Sequence, residues 1–109
     1  MSSTNTNVVL TEAVYYILLS LYQPLHGYGI MQNVEKLSSG RVKLAAGTLY
    51  GAINTLLEKH WIEALPGEKD SRKKMYVITE KGQEAAVNEV SRLRELLSSG
   101  EAIIGGLVL

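Results

Sequence analysis

The sequence predicts a mainly α-helical fold carrying a small β-hairpin, and three observations carry that prediction. Apolar residues recur at three- and four-residue intervals in four separate segments. Two short strand-like segments, residues 62–65 and 74–78, flank the charged turn GEKDSRKK. The third helical segment, within LAAGTLYGAINTLLEKHWI, runs directly into the first of these strands.

A chain of 109 residues, 46% hydrophobic and 20% charged, is long enough for one globular domain and too short for two. Cysteine is absent, which excludes disulfide staples and thiolate metal sites and fits a reducing compartment. No apolar run approaches the roughly 18 residues of a spanning helix. The N-terminal SSTNTN has neither the basic region nor the apolar core of a signal peptide. A cytoplasmic protein with no membrane partner is the simplest reading.

The elements follow in order. Residues 1 to about 8 are small, polar and without periodicity, so a flexible tail is expected over 1–9. Thr11 is a suitable N-cap, and Val14, Tyr15, Ile17, Leu18 and Leu21 then keep helical spacing until Gln23-Pro24 stops the pattern. After a turn at His26-Gly27, Tyr28, Ile30, Met31, Val34 and Leu37 mark a second helix, closed by Ser38-Ser39-Gly40. The third helix is expected over residues 47–59, with Leu49, Ile53, Leu56 and Leu57 as its apolar stripe. Thr48, Tyr50, Gly51, Asn54 and Thr55 fall on or near the opposite face. Pro66-Gly67 begins the hairpin turn. The return strand alternates, with Met75 and Val77 on one face and Tyr76 and Ile78 on the other. Thr79-Glu80 then caps a last helix, expected to run to about Ser98.

That last helix carries a narrow stripe: Ala86, Val90, Leu93 and Leu97 repeat at intervals of four, three and four, the a/d spacing of a two-helix seam. The stripe can pack on its own domain. Three short helices and a hairpin already close a small core, however, so a long trailing helix favours a second chain as partner, and a homodimer is expected. Its other positions, Glu89 and Arg92 among them, are largely polar. The tail from Ala102, AIIGGLVL, is too short to span a membrane and suits either a cover over apolar surface or a loose end.

Net charge is zero, so attraction to nucleic acid must be sought in its distribution. Residues 41–82 hold a balance of +3, against −1 before them and −2 after. Helix, strand, basic loop and strand in this order can lay a helix in the DNA major groove while a hairpin touches the backbone beside it. The chain therefore reads as a DNA-binding unit of helices and a basic hairpin over 10–79 followed by a C-terminal dimerisation helix and tail over 80–109. Each Lys or Arg that neutralises a phosphate contributes roughly −0.9 to the slope of log affinity against log salt, so Lys43, Arg72, Lys73 and Lys74 on two protomers predict steep salt dependence. Two such helices on a dimer would meet successive major grooves about 34 Å apart, hence a palindromic site in double-stranded DNA. Each candidate has a plainer reading. The basic run can be a solvated turn, Tyr50 a core aromatic, and Trp61 suits a structural role better than a ligand-stacking one.

HGYGI after the first helix, GTLYGAINTLLEKHWI as the third, and SRKKMYVITEKG as wing and hinge resemble the PadR family of winged helix-turn-helix transcriptional regulators, in its smaller subgroup with one short C-terminal helix. The resemblance implies a dimeric repressor on a palindromic operator, released by a small, often aromatic effector. It implies that Thr48 and Tyr50 lie near phosphates and base edges, and that Arg72, Lys73 and Lys74 meet the backbone or minor groove. The chain departs from the family at Gly51, where many relatives have proline, and at Asn54-Thr55, where they have two basic residues. Asn54 can bond an adenine edge in two places. His60 stands where glycine is usual, and Leu93 lies near an aromatic position on which some relatives stack ligands.

An effector pocket would then draw on Val90, Leu93, Leu97 and the first-helix residues Tyr15 and Tyr16 across the dimer. An enzyme is not expected. No cysteine nucleophile or phosphate-binding glycine loop is present, and His26 and His60 lie on different elements. Two histidines are too few for a zinc site, and neither metal nor cofactor is expected. The rival reading is a winged helix that docks protein without operator binding, since the third helix has no basic residue before Lys59.

Overall fold

The computed structural model of the protein describes residues 8–66 and 74–105. The wing tip with Arg72 and Lys73, the first seven residues and the last four lie outside the described residues. Four helices and three short strands follow in the order α1 (Glu12–Ser20), β1 (Leu25–His26), α2 (Gly27–Leu37), α3 (Ala46–Glu58), β2 (Ile62–Ala64), β3 (Met75–Ile78) and α4 (Glu80–Ile104). The mainly helical fold is as the sequence predicts, with one addition. The hairpin is part of a three-stranded antiparallel sheet in which β3 is central, ordered β1-β3-β2.

The extra strand is only two residues long. Leu25 pairs with Tyr76 and His26 with Met75. On the other side of β3, Ile62, Glu63 and Ala64 pair with Ile78, Val77 and Tyr76. Periodicity could not reveal β1, because its extended state comes from a partner some fifty positions away rather than from local alternation.

Local chemistry sets the helix ends. Thr11 caps α1, its hydroxyl accepting from the Val14 N–H at 3.1 Å. His26 caps α2, with Nδ1 accepting from the Gly29 N–H at 3.2 Å, so the residue read as a turn is both the end of a strand and a helix cap. Thr79 caps α4 by accepting from the Gly82 N–H at 3.0 Å. At the end of α3, the Trp61 N–H donates to the Leu56 carbonyl and the His60 N–H to the Leu57 carbonyl, both at 3.0 Å. That pair of bonds is a Schellman ending, which puts His60 in the left-handed region at φ 63°. The glycine usual at this position thus has a conformational reason.

The core joins α1, α2, α3 and the sheet, which together form the head of the molecule. Ile17, Leu18 and Leu21 near the end of α1 meet Ile30 and Val34 of α2, Leu49, Ile53 and Leu56 of α3, and Ile62, Tyr76 and Ile78 of the sheet. Tyr76 and Ile78 are the buried partners in β3, as the alternation predicts. Polar ties add register: Asn33 donates to the Ser20 hydroxyl at 2.9 Å, and the Ile78 N–H donates to the Leu21 carbonyl at 2.8 Å.

Two features of α4 differ from expectation. It passes Ser98-Ser99-Gly100 and runs to Ile104, where Gly105 closes it at φ 74°. Extending an existing helix through Ser and Gly costs at most about 1 kcal/mol per residue, far less than starting one. The first turns of α4 also lie tightly on their own domain. A Cβ at Gly82 would stand 2.1 Å from the Trp61 carbonyl oxygen, so only glycine permits this approach. Ala86, read as part of a seam to another chain, is 1% exposed and packs within its own protomer. Glu89 is likewise only 3% exposed. From Leu93 to Ile104 every residue except Gly100 is exposed, and the chain's radius of gyration, 15.9 Å, exceeds the roughly 13 Å of a compact domain of this length.

Candidate nucleic-acid interface

The helix pair α2–α3 and the sheet edge beside it hold the residues that the sequence marks for DNA. Leu49, Ile53 and Leu56 anchor α3 in the core. Gly47, Thr48, Tyr50, Gly51, Asn54 and Thr55 are then all exposed on its other side. Gly47 and Gly51 have open space where a Cβ would be, so this face is low and unobstructed. The Thr55 hydroxyl donates to the Gly51 carbonyl at 3.2 Å and is turned along the helix rather than outward.

The start of α3 has no side-chain cap, because Ala45 stands at the N-cap and no acid lies in the first turn. Its unpaired N–H groups and the positive end of the helix dipole therefore face outward, beside exposed Lys43. Arg41 is engaged with Glu12 of α1, which raises the pKa of its guanidinium. Lys74, just before β3, is exposed.

Tyr50 is neither a core residue nor a free surface one. It is 45% exposed, yet its ring rests on the start of α2, where a Cβ on Gly27 would be 2.1 Å from the phenol oxygen. Burial raises the Tyr76 phenol pKa, and Tyr50 beside it raises it further. Gly27 is a residue that sequence reasoning passed over as a turn. The HGYG motif contained it, but the need for glycine lies in a helix twenty residues on.

The residues expected at a seam and an effector pocket lie on α4 and α1. Val90 is half-buried, and Leu93 and Leu97 are 39% and 57% exposed. Tyr15 and Tyr16 are half-buried on α1, their ring centroids 5.8 Å apart. A cleft of about 350 Å³ lies elsewhere, between residues 8–11 and α3, and includes Val14, Lys59 and Trp61 in its lining. Trp61 is buried, with the Lys59 ammonium 5.3 Å from its ring centre.

Glu89, also missed, accepts two bonds from Arg92, at 2.9 and 2.6 Å, and lies 3.5 Å from the Leu10 N–H. It ties the segment before α1 to α4. Among the described residues, no group of three His, Cys, Asp or Glu is placed to hold a metal, and no helix is long and apolar enough to cross a membrane.

A model of the transcriptional regulator PadR-like family matches residues 16–88, from the middle of α1 into α4. No curated protein matches the chain. Among solved structures, a PadR family transcription regulator from Clostridium difficile is similar with a TM-score of 0.72 at 18% identity, over 86% of this chain and 99% of that one. A transcriptional regulator from Clostridium thermocellum gives 0.62 at 22% identity, over 89% and 92% of the two chains. A PadR family transcriptional regulator from Eggerthella lenta gives 0.64 at 21% identity, over 86% and 81%. At these identities the likeness establishes a shared fold, while the family match covers most of the head domain. The chain belongs to the PadR-like family of transcriptional regulators, and is a DNA-binding regulator.

Proposed function

We propose that this protein is a homodimeric repressor that binds a palindromic operator through α3 and the wing and is released by a small, in the simplest case aromatic, effector. The observation that carries the reading is the outward face of α3. It offers small and hydrogen-bonding groups without an acid before Glu58, opens on an uncapped N-terminus, and has Lys43 next to it. Such a face can approach a phosphate backbone closely and still present Asn54 to an adenine edge.

Thr48 and Tyr50 are assigned to phosphates and base edges at the helix start. Lys43, Lys74 and the wing residues Arg72 and Lys73 are assigned to the backbone, which would supply most of the affinity. Val90, Leu93 and Leu97 are assigned to the seam with a second protomer. The four-three spacing continues through Gly100 to Ile104, and from Leu93 onward these positions lie on the stretch of α4 that is exposed apart from Gly100. A cytoplasmic location follows from the role. The effector would bind between that seam and Tyr15 or Tyr16, and a titration that left both tyrosine fluorescence and operator affinity unchanged would refute this placement.

The central test is fluorescence anisotropy with a labelled fragment of the gene's own upstream region, at two salt concentrations. Binding that resists competitor DNA, weakens steeply with salt and collapses when Arg72, Lys73 and Lys74 are changed to alanine is the expected result. Retention that ignores both salt and the triple substitution would refute wing-dependent operator binding.

A further inference from the structure

We propose that Gly27 is a positioning residue for DNA recognition: it forms the seat that fixes the Tyr50 phenol on the recognition helix. The inference rests on the reading above that Tyr50 touches DNA.

The fold builds the seat from distant pieces. Pairing of Leu25 with Tyr76 and of His26 with Met75 brings the chain to the sheet edge, and Gly27 follows as the first residue of α2. There it is buried although it has no side chain of its own to bury, because the Tyr50 ring covers it. Tyr76, from the central strand, stands close enough for Tyr50 to influence its phenol. The phenol is thus seated on a helix start while the residue as a whole stays 45% exposed.

A side chain at position 27 would displace this ring. A Cβ there would fall 2.1 Å from the Tyr50 phenol oxygen and 2.8 Å from the ring carbon that bears it. Both atoms are the far end of a side chain with rotatable bonds and an open side. The fold can therefore accommodate alanine by swinging the phenol away, and alanine gains helix propensity at the same time. The geometry separates two effects that usually move together: the fold is expected to be unharmed, and the phenol to lose its place. A polar group held in one orientation before DNA arrives need not pay for ordering on binding, so its loss weakens binding even where a displaced phenol could still reach.

The experiment compares the full chain with its Gly27→Ala, Tyr50→Phe and doubly substituted variants, using operator anisotropy alongside thermal unfolding. Tyr50→Phe is expected to weaken operator binding about ten-fold or more, the value of one hydrogen bond to a charged group. Gly27→Ala is expected to weaken it comparably without lowering the unfolding midpoint. The double variant should bind no worse than Tyr50→Phe alone, since the seat has nothing left to position. Gly27→Ala with unchanged affinity overturns the seat while leaving the Tyr50 contact intact. Additive losses in the double variant overturn it as well, because Gly27 would then act by another route. Wild-type affinity in Tyr50→Phe overturns both the seat and the phenol contact on which it rests.

Discussion

Gly82→Ala tests how α4 is joined to the head. An added Cβ would stand 2.1 Å from the Trp61 carbonyl oxygen, 2.9 Å from its carbonyl carbon and 2.7 Å from Ile78 Cγ1. Two of these atoms are backbone at the helix-to-strand junction, where the Trp61 carbonyl also accepts the Thr79 N–H at 2.9 Å. They cannot swing aside, so the first turn of α4 must lift away by about an ångström or more. Overpacking of this kind costs about 1–3 kcal/mol. The weakened Thr79–Trp61 bond adds about 1 kcal/mol, and the helix propensity of alanine over glycine returns about 1 kcal/mol. The net loss is about 1–3 kcal/mol, or a fall in the thermal midpoint of roughly 5–15 °C for a domain of this size. Circular dichroism melts and urea denaturation at matched protomer concentration measure it directly. Propensity alone predicts the opposite sign, so a variant as stable as the wild type or more stable would refute the close approach of α4 to Trp61.

Further substitutions test the other joints. His60→Gly relieves a left-handed residue at φ 63° at some cost in unfolded-chain entropy, and should stabilise the protein by about 0.5–1 kcal/mol in the same denaturation assay. Destabilisation would mean that the imidazole itself contributes. Arg92 holds the Glu89 carboxyl below its ordinary value, outweighing the opposing effect of burial. A carboxylate with a depressed folded-state pKa stabilises fully above its unfolded value near 4.5 and loses that contribution as pH falls through the folded one. Glu89→Gln should therefore cost about 1–2 kcal/mol at neutral pH, since Arg92 is partly solvated, and should flatten the acid limb of the stability profile. An unchanged acid limb would remove Glu89 from the account. Leu93→Glu with Leu97→Glu places acids on exposed positions of α4 and should leave the helical spectrum intact while converting the proposed dimer to a monomer in light scattering, with loss of operator affinity. A double variant that stays dimeric would move the seam elsewhere.

Much of this molecule was legible in its order of residues. Four helices came from apolar spacing, two of their caps from Thr11 and Thr79, and the alternation of β3 from Tyr76 and Ile78. These depend on neighbours within one or two turns, and such neighbours are visible in the sequence. The outward face of α3 was legible for the same reason, since a core stripe at Leu49, Ile53 and Leu56 leaves Thr48, Tyr50, Gly51 and Asn54 outside. What the sequence could not decide were contacts between positions far apart along the chain. Leu25-His26 became a strand only by pairing with β3. Glu89 looks like any acid paired locally with Arg92 on a polar helix face until Leu10, 79 positions away, meets it. Ala86 belonged to its own protomer because Gly82, four residues before it, let α4 close on Trp61. Gly27 and Gly82 show the difference most directly. Glycine's absent side chain carries no local pattern, and what each makes room for, a phenol on another helix and a carbonyl at the turn between α3 and β2, exists only once the chain has folded.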